Sequence, residues 1–243
     1  MGEHTIREVL KRRSSATQRE LQKRREQGMR ERRSRVPLLV LTAIVLILVA
    51  AAVYGGIQVR NVSGRFVQDL AQQSAHPASS INLQSATAFL PNSVLAILDP
   101  SFYDASATTL SPVTQGLVQV YFPEASGIGL RVMITSLQLR FNRSAILEAY
   151  INDVPMGSDH GKPVIGLAAA SQAYFRKPFA QLQPQEIALL VAMMRAPDTL
   201  DPRRFPDKAL AARNAVLQAD AQQTVLSQDQ ADLLSKLPLG VVP

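Results

Sequence analysis

The sequence contains no cysteine, no tryptophan and only three histidines, His4, His76 and His160. The first absence excludes disulfides, thiolate metal sites and a cysteine nucleophile, and it leaves the compartment open. The histidines are scattered without HExxH-like spacing, so no zinc site is expected. Aromatic residues make up 5% of the chain, too few for a surface on which single-stranded bases could stack. No nucleic-acid partner is therefore expected. Strand signals are nearly absent as well. Charge is missing from one long run, Val36 to Ile57, which is dominated by Leu, Val, Ile and Ala.

That run is about 22 residues, enough at 1.5 Å per residue to cross a hydrocarbon core of about 30 Å. A cleavable signal peptide fits poorly, because its apolar core is normally shorter and its charged region briefer. The charge that is present sits in front of the run. Residues 1–36 hold 12 Lys/Arg against 5 Asp/Glu, which accounts for the whole formal charge of +7. The reading is a basic cytoplasmic tail over 1–35, a transmembrane signal anchor over 36–57 with Tyr54 near one interface, and an extracytoplasmic remainder. Residues 58–80, ending in Ser, Ala and Pro, read as a stalk.

From 81 to 243 the pattern is helical. Pro91 opens a helix through Val94, Leu95, Ile97 and Leu98, and a second runs from Val113 to Tyr121. Leu130, Met133, Ile134 and Leu137 keep the 3.6-residue period. Asn142 is an N-cap for the helix carrying Ile146, Leu147 and Tyr150, with Pro155 just past its end. Pro184 fits a first helical turn, and Pro197 closes the helix through Leu189, Leu190 and Met194. Asp207 to Gln218 is a further helix, and Ser227 with Gln230 forms a capping box before Leu233 and Leu234. The segment Gly157 to Pro163 has three residues between its glycines and a proline in place of a metal-binding Ser/Thr, so it is a surface turn and not a phosphate loop. Ser158, Asp159 and His160 are consecutive and cannot fold into a triad.

The centre of the chain carries Arg143, Ile146-Leu147-Glu148, Tyr150-Ile151-Asn152, Gly166, Ala168-Ala169, Tyr174-Phe175-Arg176-Lys177, Leu182, Glu186, Ala188-Leu189-Leu190, Ala196-Pro197 and Arg213 with Val216-Leu217. In order and type these residues resemble the motifs of the family-51 peptidoglycan glycosyltransferases, the glycan-polymerising domain of penicillin-binding proteins and monofunctional transglycosylases. The resemblance covers roughly Asn82 to Gly240. It implies an all-α, lysozyme-like domain on a bacterial plasma membrane, with no transpeptidase domain expected after it.

The motifs that would carry the chemistry depart from that pattern. Leu98 stands where the family has the glutamate that acts as general base, and leucine has no lone pair to accept a proton. Val132 replaces a cation for the lipid pyrophosphate, and Thr135 replaces a second glutamate. The first and second motifs are separated by about 13 residues, which implies that part of the active-site wall or membrane-facing jaw is missing. Asp99 is expected to be rotated by about 100° from Leu98 on the same helix. Asp104, in a loop, stays a candidate substitute. No catalytic residue is assigned.

The polar residues that survive are Ser111, Thr114, Gln115, Arg131, Arg143, Glu148, Asn152 and Arg213. Two roles are open to them: a residual groove for a saccharide or lipid pyrophosphate, or hydrogen-bonding within the fold. The expected function is a membrane-anchored, catalytically degenerate relative that binds or scaffolds near peptidoglycan synthesis. The alternatives are an active glycosyltransferase polymerising lipid II with Mg²⁺, or an accessory subunit of an unrelated membrane complex. No cofactor is expected unless the chain is active. The expected partners are the lipid bilayer, lipid II or a glycan strand, and other membrane or cell-wall proteins.

Overall fold

The computed structural model describes residues 40–75 and 79–242. The basic tail expected over 1–35 lies outside the described residues, as do residues 36–39 of the expected span. The chain divides into two compact units, Met1–Tyr54 and Gly55–Pro243. The described part of the first is helix alone, and its apolar side chains, Leu46 to Leu48 among them, are exposed. The helix α1, Val40–Ala75, is long and apolar enough to cross a membrane, alone in this among the described residues.

The second unit begins within α1. The expected stalk is here helical through Ala75, and two of its residues belong to the core. Val62 and Phe66 are fully buried, and the Phe66 ring packs 4.4 Å from that of Phe141. Each such side chain contributes about 2 kcal/mol by leaving water. The weak helical pattern at 58–70 is weak because only one narrow stripe of this helix turns inward.

The remaining helices follow the caps. They are α2 (Phe89–Leu98), α3 (Pro112–Tyr121), α4 (Gly127–Arg140), α5 (Arg143–Asp153), α6 (Gly166–Phe175), α7 (Pro184–Met193), α8 (Pro206–Gln222) and α9 (Gln228–Ser235). Helix α2 starts two residues before Pro91, without a side-chain cap. Asn142 caps α5 by accepting from the Ala145 N–H at 2.6 Å. Ser227 and Gln230 form the expected box at α9. Helix α7 is the centre: every residue from Glu186 to Met193 is buried, which a helix apolar on all sides requires. Helices α8, α2, α6 and α9 pack around it, while α3, α4 and α5 form the adjoining layer.

One element differs from the helical expectation. Between α5 and α6 the chain forms a hairpin of β1 (Pro155–Asp159) and β2 (Lys162–Ile165), paired Ser158 to Pro163 and Asp159 to Lys162. Its turn is His160-Gly161, both at positive φ, the backbone that a tight two-residue hairpin demands. The strands are too short and too exposed to leave an alternating apolar signature. The hairpin leads into Gly166, at φ +75°, where α6 starts against the end of α5.

Candidate functional site

Helix α2 ends at Leu98, and Asp99 has already left it, at φ −161°. Asp99 is thus displaced from Leu98 by a break in the backbone and not by rotation on a shared helix, which corrects the expectation for this carboxylate. Its side chain is 4% exposed and accepts from Ser111 Oγ at 2.6 Å. Ser111 in turn caps α3, accepting from the Thr114 N–H at 3.1 Å. Asp99 and Ser111 therefore close the base of the loop 99–111.

Two further side chains fasten that loop along its length. Arg143, at the start of α5, donates to the carbonyls of Phe102 and Ala105, and its guanidinium lies 5.4 Å from the centre of the Phe102 ring. Gln138 of α4 donates to the carbonyls of Ala107 and Thr109 at 3.0 and 2.9 Å. A loop with four carbonyls held by side chains is a fixed surface, because each release would leave a donor or acceptor without its partner. Gln138 carried no sequence signal, since a glutamine inside a helix has no marked position. Among the described residues, two buried polar atoms here have no partner, Thr114 Oγ1 and Gln138 Oε1.

The other predicted residues do not converge on this loop. Glu148 and Asn152, one turn apart on α5, grip the backbone of the segment before α2. The Ile81 N–H donates to Asn152 Oδ1 at 2.7 Å, and Asn152 Nδ2 donates to the Ile81 carbonyl at 2.9 Å. The Leu83 N–H donates to Glu148 Oε2 at 2.8 Å. Arg213 on α8 is fully buried and donates to the carbonyls of Ser235 and Leu237 at 3.1 and 2.8 Å. Burial lowers its pKa from the usual guanidinium value. Gln115 is half-buried on α3, and Arg131 is exposed on α4 with Val132 and Thr135 beside it half-buried.

A second cluster of titratable groups has no counterpart in the sequence reading. Tyr121 of α3 donates to Asp69 Oδ2 at 2.9 Å, and Gln73 donates to the same oxygen at 2.7 Å. Asp153, at the end of α5, shares a hydrogen bond with Asp69, and Arg65 lies 5.6 Å from the centre of the Tyr121 ring. Burial first, and then the neighbouring Asp69, push the Asp153 carboxyl up to about 7. Burial and the two carboxylates raise Tyr121 too. Asp69, Tyr121 and Asp153 are 32 to 84 apart in sequence, so no local pattern could bring the three together.

The raised Asp153 makes a prediction. The folded protein holds a proton that the unfolded chain releases near 3.8, so this group's contribution is complete below that pH and declines as pH rises through about 7. Asp153→Asn is expected to flatten the fall in melting temperature between pH 6 and 7.5, followed by circular dichroism. Parallel slopes for the two proteins would remove Asp153 as the cause.

Residues 111–220 match the model of the family described as Transglycosylase. The chain is 37% identical to penicillin-binding protein 1B of Escherichia coli (strain K12) over 111 residues, 46% of this chain and 13% of that protein. It is 37% identical over 123 residues to penicillin-binding protein 1C of the same organism, covering 50% of this chain and 16% of that one. Penicillin-binding protein 1A of Mycolicibacterium smegmatis is 37% identical over 131 residues, again 50% of this chain and 16% of the relative. The chain thus spans a small fraction of the length of these relatives. The crystal structure of penicillin-binding protein 1A from Haemophilus influenzae aligns with a TM-score of 0.46 at 21% identity, over 67% of this chain and 18% of that one.

Proposed function

We propose that the chain carries a family-51 transglycosylase domain and is a membrane-anchored, peptidoglycan glycosyltransferase-like protein that has lost turnover and binds or scaffolds near cell-wall synthesis. The observation that carries this reading is the orientation of Asp99. The position of the general base is Leu98, and the carboxylate next to it is buried and committed to Ser111. To act as a base, Asp99 would have to give up the hydrogen bond it accepts from Ser111 and rotate toward solvent. Losing a general base costs on the order of 10² to 10⁴ in rate. Losing charge at the leaving pyrophosphate, where Val132 stands, costs comparably.

The residues around this loop do not suit a divalent cation. Asp99 faces inward, Leu98, Val132 and Thr135 supply no carboxylate, and Asp104 is left as a single exposed carboxylate on the loop, whereas Mg²⁺ calls for several oxygen ligands. The anchor is taken to lie in the plasma membrane with the basic tail cytoplasmic and the domain outside, as the excess of Arg and Lys before it favours.

The direct test is glycan polymerisation from labelled lipid II by the detergent-purified full chain with divalent cation. No glycan ladder is expected, while the helical circular dichroism spectrum stays intact. A ladder would overturn the loss of turnover and direct mutagenesis to Asp104. Co-purification with cell-wall enzymes is expected over co-purification with an unrelated membrane assembly.

A further inference from the structure

Hydrophobic burial holds the second half of α1 only as far as Phe66. In the stretch 67–75 Asp69 is the one buried residue, Leu70 is half-buried, and Val67, Ala71 and Ala75 are exposed. A helix end with so little apolar contact opens easily unless polar ties hold it. The centre of those ties is Asp69. Tyr121 of α3 and Gln73 both donate to Asp69 Oδ2, at 2.9 and 2.7 Å, and the Asp153 carboxyl of α5 shares a hydrogen bond with Asp69. Asn152 Nδ2 reaches Gln73 Oε1 at 3.5 Å, a weak second tie.

We propose that Asp69, Tyr121 and Asp153 form a proton-operated latch, which fastens residues 67–75 to α3 and α5 when closed and frees them locally when one proton is lost. The geometry assigns that proton. Asp69 Oδ2 already accepts two hydrogen bonds, so Asp69 is the acceptor, and the proton between the two carboxyls is donated by Asp153. Without it, two ionised carboxylates stand at hydrogen-bonding distance and repel. Burial and Asp69 together push the Asp153 carboxyl up to about 7, which places the change near neutrality. Below that value the latch is closed, and it opens as pH rises through it.

The groups that act on Asp153 come from two elements. Helix α1 brings Asp69, which raises it, and Arg65, whose charge opposes the rise; α3 brings Tyr121, whose hydrogen bond also opposes it. On α5 itself, Glu148 is engaged by the Leu83 N–H. Among the described residues α4, α6 and the hairpin add no charge to this cluster. Arg131 and Arg140 of α4 are exposed, Tyr174 of α6 lies against Arg203, and Asp159 of β1 pairs with Arg203. None of the latch residues is Leu98, Val132 or Thr135, so the latch stands whether or not the chain turns over substrate.

The test is amide hydrogen exchange, read by mass spectrometry on the detergent-purified full chain at pH 5.5 and 8 and corrected for the intrinsic rates. A carboxyl at about 7 when closed and 3.8 when free makes opening of 67–75 about tenfold or more easier across that interval. At pH 8 this stretch is expected to exchange while the buried residues Glu186 to Met193 of α7 are still protected. Asp153→Asn keeps a donor for Asp69 but no titrating proton, so its 67–75 stretch is expected to exchange alike at both pH values. Tyr121→Phe removes the partner on α3 and is expected to raise exchange of 67–75 already at pH 5.5. Exchange of 67–75 indifferent to pH, exchange only together with α7, or unchanged protection in Tyr121→Phe would each overturn the proposal. So would a pH response that survives in Asp153→Asn, which would assign it to another group such as His76.

Discussion

Gly166→Ala is expected to cost about 3–5 kcal/mol, enough to consume much of the stability of an ordinary domain. Two penalties combine at this position. The backbone has φ +75°, which an L side chain adopts only with strain, and the new Cβ would lie 2.1 Å from the Asn152 carbonyl oxygen. That oxygen belongs to backbone, so it cannot rotate away as a side-chain terminus could. Relief requires α6 to lift from the end of α5, which breaks the 2.8 Å bond from the Gly166 N–H to the Val154 carbonyl. Gly161→Ala separates the two penalties, since Gly161 has φ +78° but nothing within 4 Å of the added carbon. It should cost about 1 kcal/mol. Urea denaturation of both variants checks the pair, and equal losses would show that the close approach at Gly166 is not what demands glycine.

Asp220→Asn is expected to stabilise the protein, by an amount that grows with pH. Asp220 is fully buried on α8, with Oδ2 accepting from Ser93 Oγ at 2.9 Å and Oδ1 without a partner among the described residues. Burial pushes its carboxyl up to about 6, partly offset by the Ser93 hydroxyl. A folded pKa above the unfolded 3.8 means that stability is complete below 3.8 and is lost as pH rises through 6. The loss at pH 7 and above is about 3 kcal/mol. At pH 4 the protonated acid and the amide are near-isosteres, so the two proteins should melt together. By pH 7.5 the variant should lead by several degrees. A constant difference across that range would assign the effect to packing. Both groups lose stability between pH 3.8 and 6, and only above pH 6, where the Asp220 window closes, does the slope belong to Asp153.

The sequence made the helices legible wherever a cap or a proline marked them. Asn142, Pro184 and the Ser227–Gln230 box each stand at the helix start their chemistry dictates. Two things escaped it. The hairpin at 155–165 announced itself only as a turn, because its strands are short and carry prolines and exposed polar residues in place of an alternating pattern. The second half of α1 looked like a stalk because Phe66 is buried against Phe141, a residue far along the chain, and not against its neighbours in sequence. Among the candidate site residues, type and order were readable, but partners were not. Nothing local says that Arg143 reaches the carbonyls of Phe102 and Ala105, or that Asn152 reaches back to Ile81. A polar residue on a helix declares that it needs a partner, and the fold decides which one it finds.

The grip of Glu148 and Asn152 on the chain before α2 has a consequence for how this surface can change. Both residues hold main-chain atoms of Ile81 and Leu83, which every residue type except proline would present equally well. The exposed side chains at 82, 84, 85 and 87 are not part of that attachment. Selection can therefore exchange them freely while the segment stays where it is. The side chains displayed on this face are separable from foldability, so related proteins with the same two anchoring side chains can differ in surface chemistry here without re-engineering the domain.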